Sequence, residues 1–122
     1  MRRILLLLLL VAAAAEPALA AGDPAKGKSA FQACAACHSL EAGKSKVGPS
    51  LSGVFGRKAG SLAGFNYSPA MKQADVVWSE ETLNRYIASP KEFIPGNRMP
   101  FPGIKDDAKR QDLIAYLMEA AR

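Results

Sequence analysis

The chain has 122 residues but is short of what normally closes a protein core, and it carries only two cysteines, one histidine and one tryptophan. Apolar residues make up 49% of it, yet residues 1–20 hold 16 of the 60. From Ala21 onward 44 of 102 residues are apolar, 16 of these are alanine, and Leu, Ile, Val and Phe together number only 19. A chain so poor in large apolar residues would be disordered if its net charge were large. Here 16 basic residues stand against 11 acidic ones, so the charge balance gives disorder little support. Either the chain is loose or something other than its own side chains completes the core. The length admits one domain and excludes a multidomain enzyme. Strand alternation, internal repeats and low-complexity tracts are also missing, which leaves an all-α domain. Without Arg2, Arg3 and Glu16 the charge is 14 basic against 10 acidic, a net of +4. No basic stripe with interleaved aromatics accompanies it, which argues against nucleic-acid binding.

What is present begins with a leader. Met1-Arg2-Arg3 is a short basic start, Ile4 to Ala15 is an apolar run, Glu16-Pro17 breaks it, and Ala18-Leu19-Ala20 is a small-x-small cleavage signature. That order predicts a cleaved secretory signal peptide over residues 1–20. The apolar run falls short of the roughly 20 residues a spanning helix needs, so no stable membrane insertion remains after cleavage. The mature chain, residues 21–122, is then a single domain in an exported, oxidising compartment.

Asp23-Pro24 has the form of an N-cap and first-turn proline for a helix through Ala33, with Phe31 on its apolar face. Ser39 to Gly64 holds six glycines and Pro49 without periodicity, a long loop that must lie against something. Ser68-Pro69 starts a short helix through Ala74. Ser79-Glu80-Glu81 starts another that Pro90 ends. Four prolines and two glycines from Pro90 to Gly103 forbid regular structure there. A last helix runs from Asp106 or Asp107 to about Ala120, with Leu113, Ile114 and Leu117 at helical spacing. The sum is about four helices joined by long loops.

Cys34-Ala35-Ala36-Cys37-His38 uses both cysteines and the histidine of the chain. C-x-x-C-H is the attachment signature of c-type haem. Two thiols three positions apart on a helical turn reach the two vinyl groups of one porphyrin, and His38 coordinates the iron through a neutral imidazole. A structural disulfide leaves His38 without a role and the core incomplete. A thioredoxin-like redox pair requires a βαβ context that is absent. Structural zinc wants four ligands, more than two Cys and one His supply. Haem c is therefore the cofactor read from the motif, one group held covalently by Cys34 and Cys37.

The second axial ligand decides what such a centre does. After leader removal the sulfur donors are Met71, Met99 and Met118. Met118 adjoins the apolar stripe of the last helix and reads as core filling. Met71 reads as packing in the short helix. Met99 lies in Pro95-Gly96-Asn97-Arg98-Met99-Pro100-Phe101-Pro102-Gly103, where prolines on both sides hold the backbone. A weak thioether bond survives only in a preorganised loop, so Met99 is assigned with His38 as the metal ligand pair.

With these residues the sequence resembles class I cytochromes c, and more closely the mitochondrial-type cytochrome c and its bacterial periplasmic relatives. Gly27-Lys28, Phe31, Val47-Gly48-Pro49, Gly53-Val54-Phe55-Gly56-Arg57-Lys58, Gly64-Phe65-Asn66-Tyr67-Ser68, Trp78, Tyr86, Pro90-Lys91, Ile94-Pro95-Gly96 and Asp112-Leu113-Ile114-Ala115-Tyr116-Leu117 follow in the family's order. The resemblance implies the cytochrome c fold wrapped around one haem, and a periplasmic location. It implies that the Pro49 carbonyl accepts from His38, that Arg57, Tyr67 and Trp78 hold the haem propionates, and that Tyr86 donates to the Met99 sulfur. Met71 and Asn97 stand where mitochondrial proteins carry an asparagine and a threonine of a buried polar network, so that network differs here. Lys46, Lys91, Arg98 and Lys105 keep basic positions around the exposed haem edge, while Ala33, Glu92 and Asp106 lose them, which implies a weaker docking field.

The implied function is one-electron transfer by a monomer, with no catalytic residue, between membrane redox complexes: a quinol-oxidising cytochrome bc complex as donor and a terminal oxidase or reaction centre as acceptor. Two alternatives remain open. One is a haem peroxidase or gas-binding protein whose sixth site opens, against which Met99 argues. The other is an electron-transfer subunit of a dehydrogenase complex.

Overall fold

A computed structural model describes residues 22–122, and the leader read over residues 1–20 lies outside the described residues. Asp23 opens the first helix, its Oδ1 accepting from the Ala25 N–H at 2.9 Å, and Pro24 occupies the first turn. The helices in chain order are α1 (Pro24–Ala30), α2 (Gln32–Ala35), α3 (Pro69–Gln73), α4 (Glu80–Ala88), α5 (Pro90–Phe93) and α6 (Asp107–Ala120). The fold is all-α, but with six helices among the described residues rather than about four. Two local causes account for the difference. The first helix breaks at Phe31, whose carbonyl accepts from both Cys34 at 2.8 Å and Ala35 at 3.0 Å, the former a tighter i to i+3 turn. Pro90 does not merely end α4. Ser89 leaves the helical region at φ −158°, and Pro90 opens α5, where its missing N–H costs nothing.

The remaining helix starts follow their caps. Ser68 accepts from the Met71 N–H at 3.1 Å before α3, and Ser79 forms a reciprocal capping box with Thr82 before α4. The only strand-like feature among the described residues is an isolated bridge between Lys58 and Val77. None of the described helices is long and apolar enough to cross a membrane.

α1 packs on α6, and a glycine permits the crossing. A Cβ at Gly27 would overlap the Asp112 carbonyl and stand 2.7 Å from Tyr116 Cβ. The Phe31 and Tyr116 rings meet beside it with centroids 5.6 Å apart. α4 packs on α6 from another side, and Leu113, wholly buried, sits in the common core with Leu83 and Leu117. Arg110 is also buried, at 7% exposure, on the apolar side of α6. Its Nε donates to Asn84 Oδ1 at 2.9 Å, its Nη1 to the Ile104 carbonyl at 2.7 Å, and its Nη2 pairs with Asp107. One cation thus ties α4, α6 and the chain entering α6 without an unpaired buried donor.

Candidate functional site

α2 carries Cys34, and Cys37 and His38 follow in the turn after its end. The Cys37 and His38 N–H groups both bond back to the Cys34 carbonyl, at 3.1 and 2.9 Å, so the two thiols and the imidazole share one turn. Both cysteines are half-buried and are not joined in a disulfide. Burial pushes the Cys34 thiol up, with the neighbouring Cys37 adding to it. His38 titrates below its ordinary value because burial disfavours its charged form, a hydrogen bond to Pro49 opposes this, and the Arg57 charge adds to the lowering. The imidazole is neutral at pH 7, the form that ligates a metal.

The glycine-rich loop returns over this turn. His38 Nδ1 lies 2.7 Å from the Pro49 carbonyl, and the Gly48 N–H donates to the Cys37 carbonyl at 2.8 Å. With Nδ1 engaged, Nε2 is the nitrogen left for a metal. Gly48 lies against the imidazole itself, since a Cβ there would stand 2.5 Å from His38 Cε1. Sequence reading gave Gly48 no role of its own. Arg57 holds the loop by donating to the Ser50 and Ser52 carbonyls at 2.9 and 3.2 Å. Ser50, 1% exposed, donates its hydroxyl to the Glu41 carbonyl at 2.6 Å.

The other side of the site comes from α4 and the proline-rich strap. Tyr86 on α4 is buried between Trp78 and Phe93, with ring centroids at 5.0 and 6.3 Å. Burial pushes its hydroxyl up to about 12, so it remains a neutral donor at pH 7. That hydroxyl lies 3.9 Å from Met99 Sδ and 3.5 Å from Asn97 Oδ1. Asn97 holds the strap: its amide donates to the Pro90 and Ile94 carbonyls, both at 2.9 Å, and accepts the Met99 N–H at 2.9 Å. Trp78 and Tyr67 are buried, and the Tyr67 hydroxyl accepts from the Leu62 N–H at 3.3 Å. Cys34, Leu51, Met71, Met99 and Phe101 are half-buried apolar side chains set against the buried core. Met118 is exposed at 42% and is not core filling.

The structure therefore gathers Cys34, Cys37, His38 and Pro49 by direct contact, and Tyr86, Asn97 and Met99 by a second set of contacts. Arg57 and Tyr67 are engaged with backbone of the loop. Sequence reasoning also missed Arg110, although its signal was present: Arg110 precedes Leu113, Ile114 and Leu117 by three, four and seven positions, on the apolar stripe itself.

This donor set fits haem c. Two adjacent thiols, a neutral imidazole with its outer nitrogen tied, and a thioether on a braced strap are what covalent attachment and axial ligation need. Zinc does not fit, because no group of three or more His, Cys, Asp or Glu converges among the described residues. Fold and site together define a c-type haem protein.

The family model described as "Cytochrome c" matches residues 24–121. The chain is 56% identical over 88 residues to cytochrome c2 iso-2 of Magnetospirillum fulvum, covering 72% of this chain and 92% of that one. It is 47% identical to cytochrome c2 of Blastochloris viridis over 120 residues, 98% of this chain and 94% of that one. Cytochrome c of Arabidopsis thaliana is 47% identical over 103 residues, 83% of this chain and 92% of its own. Among solved structures, cytochrome cH from Methylobacterium extorquens superposes with a TM-score of 0.76 at 45% identity, covering 80% of this chain and 99% of that one. The chain belongs to the cytochrome c family. It binds one covalent haem c and transfers electrons rather than acting as an enzyme.

Proposed function

We propose that this cytochrome c is a soluble periplasmic one-electron carrier with His38 and Met99 as axial ligands. Bound through Cys34 and Cys37, haem iron supplies a one-electron couple. The chain's residues do the rest. Pro49 fixes the His38 ring and raises its basicity, as hydrogen-bonded partners of metal ligands do. Prolines flanking Met99 and the Asn97 amide keep the thioether in place through the redox cycle, so little reorganises. Tyr67, Trp78 and Arg57 stand as partners for the propionates. The observation that carries this reading is the contact of the Tyr86 hydroxyl with Met99 Sδ at 3.9 Å, which supports Met99 as the sulfur donor.

Lys46, Lys91, Arg98 and Lys105 are exposed, and Lys91 shares a surface cleft with Pro100 and Phe101 beside Met99. They form the docking face for membrane redox complexes, a cytochrome bc complex on one side and a terminal oxidase or reaction centre on the other. Such attraction weakens with salt. The small-x-small signature Ala18-Leu19-Ala20 supports cleavage after Ala20, which leaves the domain 21–122.

The test is the ferric spectrum of the holo-protein, expected to show the weak near-red sulfur-to-iron charge-transfer band. Met99→Ala is expected to keep the haem attached, lose that band and lower the midpoint potential. A high-spin spectrum of the unsubstituted protein, or an unchanged potential in the variant, overturns the ligand assignment.

A further inference from the structure

The strap from Asn97 to Gly103 is anchored at both ends by different means. At its far end the Ile104 N–H donates to the Ile87 carbonyl at 2.9 Å, Lys105 Nζ donates to the Ala88 carbonyl at 2.7 Å, and Arg110 takes the Ile104 carbonyl at 2.7 Å. At its near end the Asn97 N–H donates to the Ile94 carbonyl at 3.2 Å, and the remaining bonds come from one side chain. Asn97 uses both amide hydrogens and its oxygen on three backbone groups: the carbonyls of Pro90 and Ile94 at the two ends of α5, and the N–H of Met99. Few neutral side chains can do this. Two donors and an acceptor in one plane are supplied by a carboxamide, whereas a hydroxyl has one hydrogen and a carboxylate none.

We propose that Asn97 is a positioning residue for the electron-transfer centre: its amide clamps α5 to Met99 and thereby sets how firmly the thioether is held. The inference rests on the Met99 reading above. Asn97 acts through backbone, with its amide engaged by the protein. The bond from Met99 N–H to Asn97 Oδ1 fixes the peptide unit that carries the sulfur. The paired bonds to Pro90 and Ile94 fix that oxygen in turn, so the position of Sδ follows from α5. The Tyr86 hydroxyl, 3.5 Å from Asn97 Oδ1 and 3.9 Å from Met99 Sδ, sits between the two and donates to either but not both at once. The clamp therefore also governs how much of that donor the sulfur receives.

Local release of Met99 is read by an added ligand. Imidazole titrated into the ferric holo-protein competes for the sixth site, and its apparent affinity rises with the fraction of molecules in which Met99 has left. Each net hydrogen bond is worth on the order of 1 kcal/mol, so losing the clamp should tighten apparent imidazole binding by roughly ten- to a hundredfold in Asn97→Ala. Asn97→Asp is the sharper variant. It keeps an acceptor for Met99 but turns a carboxylate oxygen toward the two carbonyls, and is expected to shift imidazole binding at least as far as Asn97→Ala. Asn97→Thr, with one donor and one acceptor, should recover part of the effect. As the control, Gly27→Ala strains the α1–α6 crossing away from the strap, and should lower the guanidinium midpoint without moving imidazole affinity.

The near-red band of the unsubstituted protein separates the two levels. If that protein lacks the band, the Met99 reading fails. If it shows the band but Asn97→Ala and Asn97→Asp bind imidazole as it does, the positioning role of Asn97 is refuted. Equal imidazole shifts in the Asn97 and Gly27 variants would also refute it, since the effect would then be general loosening.

Discussion

Gly48→Ala places one methyl group against the imidazole of His38. Gly48 is not among the glycines with positive φ, so alanine can adopt its backbone and the cost is steric. The added Cβ would stand 2.5 Å from Cε1, 2.8 Å from Nδ1 and 2.9 Å from Nε2, where ordinary contact begins at 3.4 Å. Relief requires a movement of about 0.9 Å. In the holo-protein the proposed metal ligation and the attached Cys34 and Cys37 would hold the ring, so the loop is what retreats. Retreat along the Nδ1 to Pro49 direction stretches that bond from 2.7 Å to about 3.6 Å, beyond a hydrogen bond. Overpacking costs about 1–3 kcal/mol and the lost bond about 1 kcal/mol, for a combined loss of about 2–4 kcal/mol. Guanidinium unfolding of the mature holo-protein, followed by circular dichroism, should show a lower midpoint at unchanged slope. Imidazole without its carbonyl partner is a weaker electron donor, so the midpoint potential should rise. A stability change under about 0.5 kcal/mol with an unchanged potential would show that the loop yields freely, and would refute the role given to the Gly48-Pro49 wall.

Gly27→Ala sets a methyl group on the Asp112 carbonyl and should separate α1 from α6, lowering the unfolding midpoint while leaving the haem spectrum unaltered; an unchanged midpoint would contradict the crossing. Tyr86→Phe keeps the ring between Trp78 and Phe93 but removes the donor facing Met99, so the midpoint potential should fall with little change in stability, and potentiometry showing no shift would remove Tyr86 from the sulfur's environment. Cys34→Ala with Cys37→Ala removes covalent attachment, and circular dichroism of the purified mature chain at neutral pH should show little helix. A cooperative, native-like fold in that variant would mean that the chain's own side chains suffice for its core.

The parts of the site that share one stretch of sequence were the readable ones. The C-x-x-C-H turn is legible because thioether attachment needs its groups within five consecutive residues, and the strap around Met99 is legible because proline restricts its own backbone. Pro49 and Tyr86 could be placed only through the family resemblance, because their contacts with His38 and Met99 span 11 and 13 residues. Helix starts were read well at Asp23, Ser68 and Ser79, where the cap is the residue itself. Proline at 90 was misread because the same missing N–H that ends one helix suits the first turn of the next. Gly48, quoted within the family pattern without a role of its own, and Arg110 are hard to read for opposite reasons. Gly48 matters through a side chain it lacks, and Arg110 is a charge on an apolar stripe whose partners, Asn84 and Ile104, lie outside α6.

The low count of large aliphatic residues now has a spatial counterpart. Phe31, Leu83, Leu113 and Leu117 close a core from protein alone where α1 and α4 meet α6, and Val54, Ala59, Trp78, Tyr86 and Ile94 extend it toward the loops. On the side of the motif and the strap, Cys34, Leu51, Met71, Met99 and Phe101 remain half-buried. The loops that bear these half-buried side chains have their backbone held by clamps such as Arg57 and Asn97. Such loops gain little from regular hydrogen-bond ladders, so much of their stability must come from what they enclose. Electron transfer would use that arrangement, because the contacts that hold these loops would also keep His38 and Met99, the proposed ligands, in place as the charge of the haem changes.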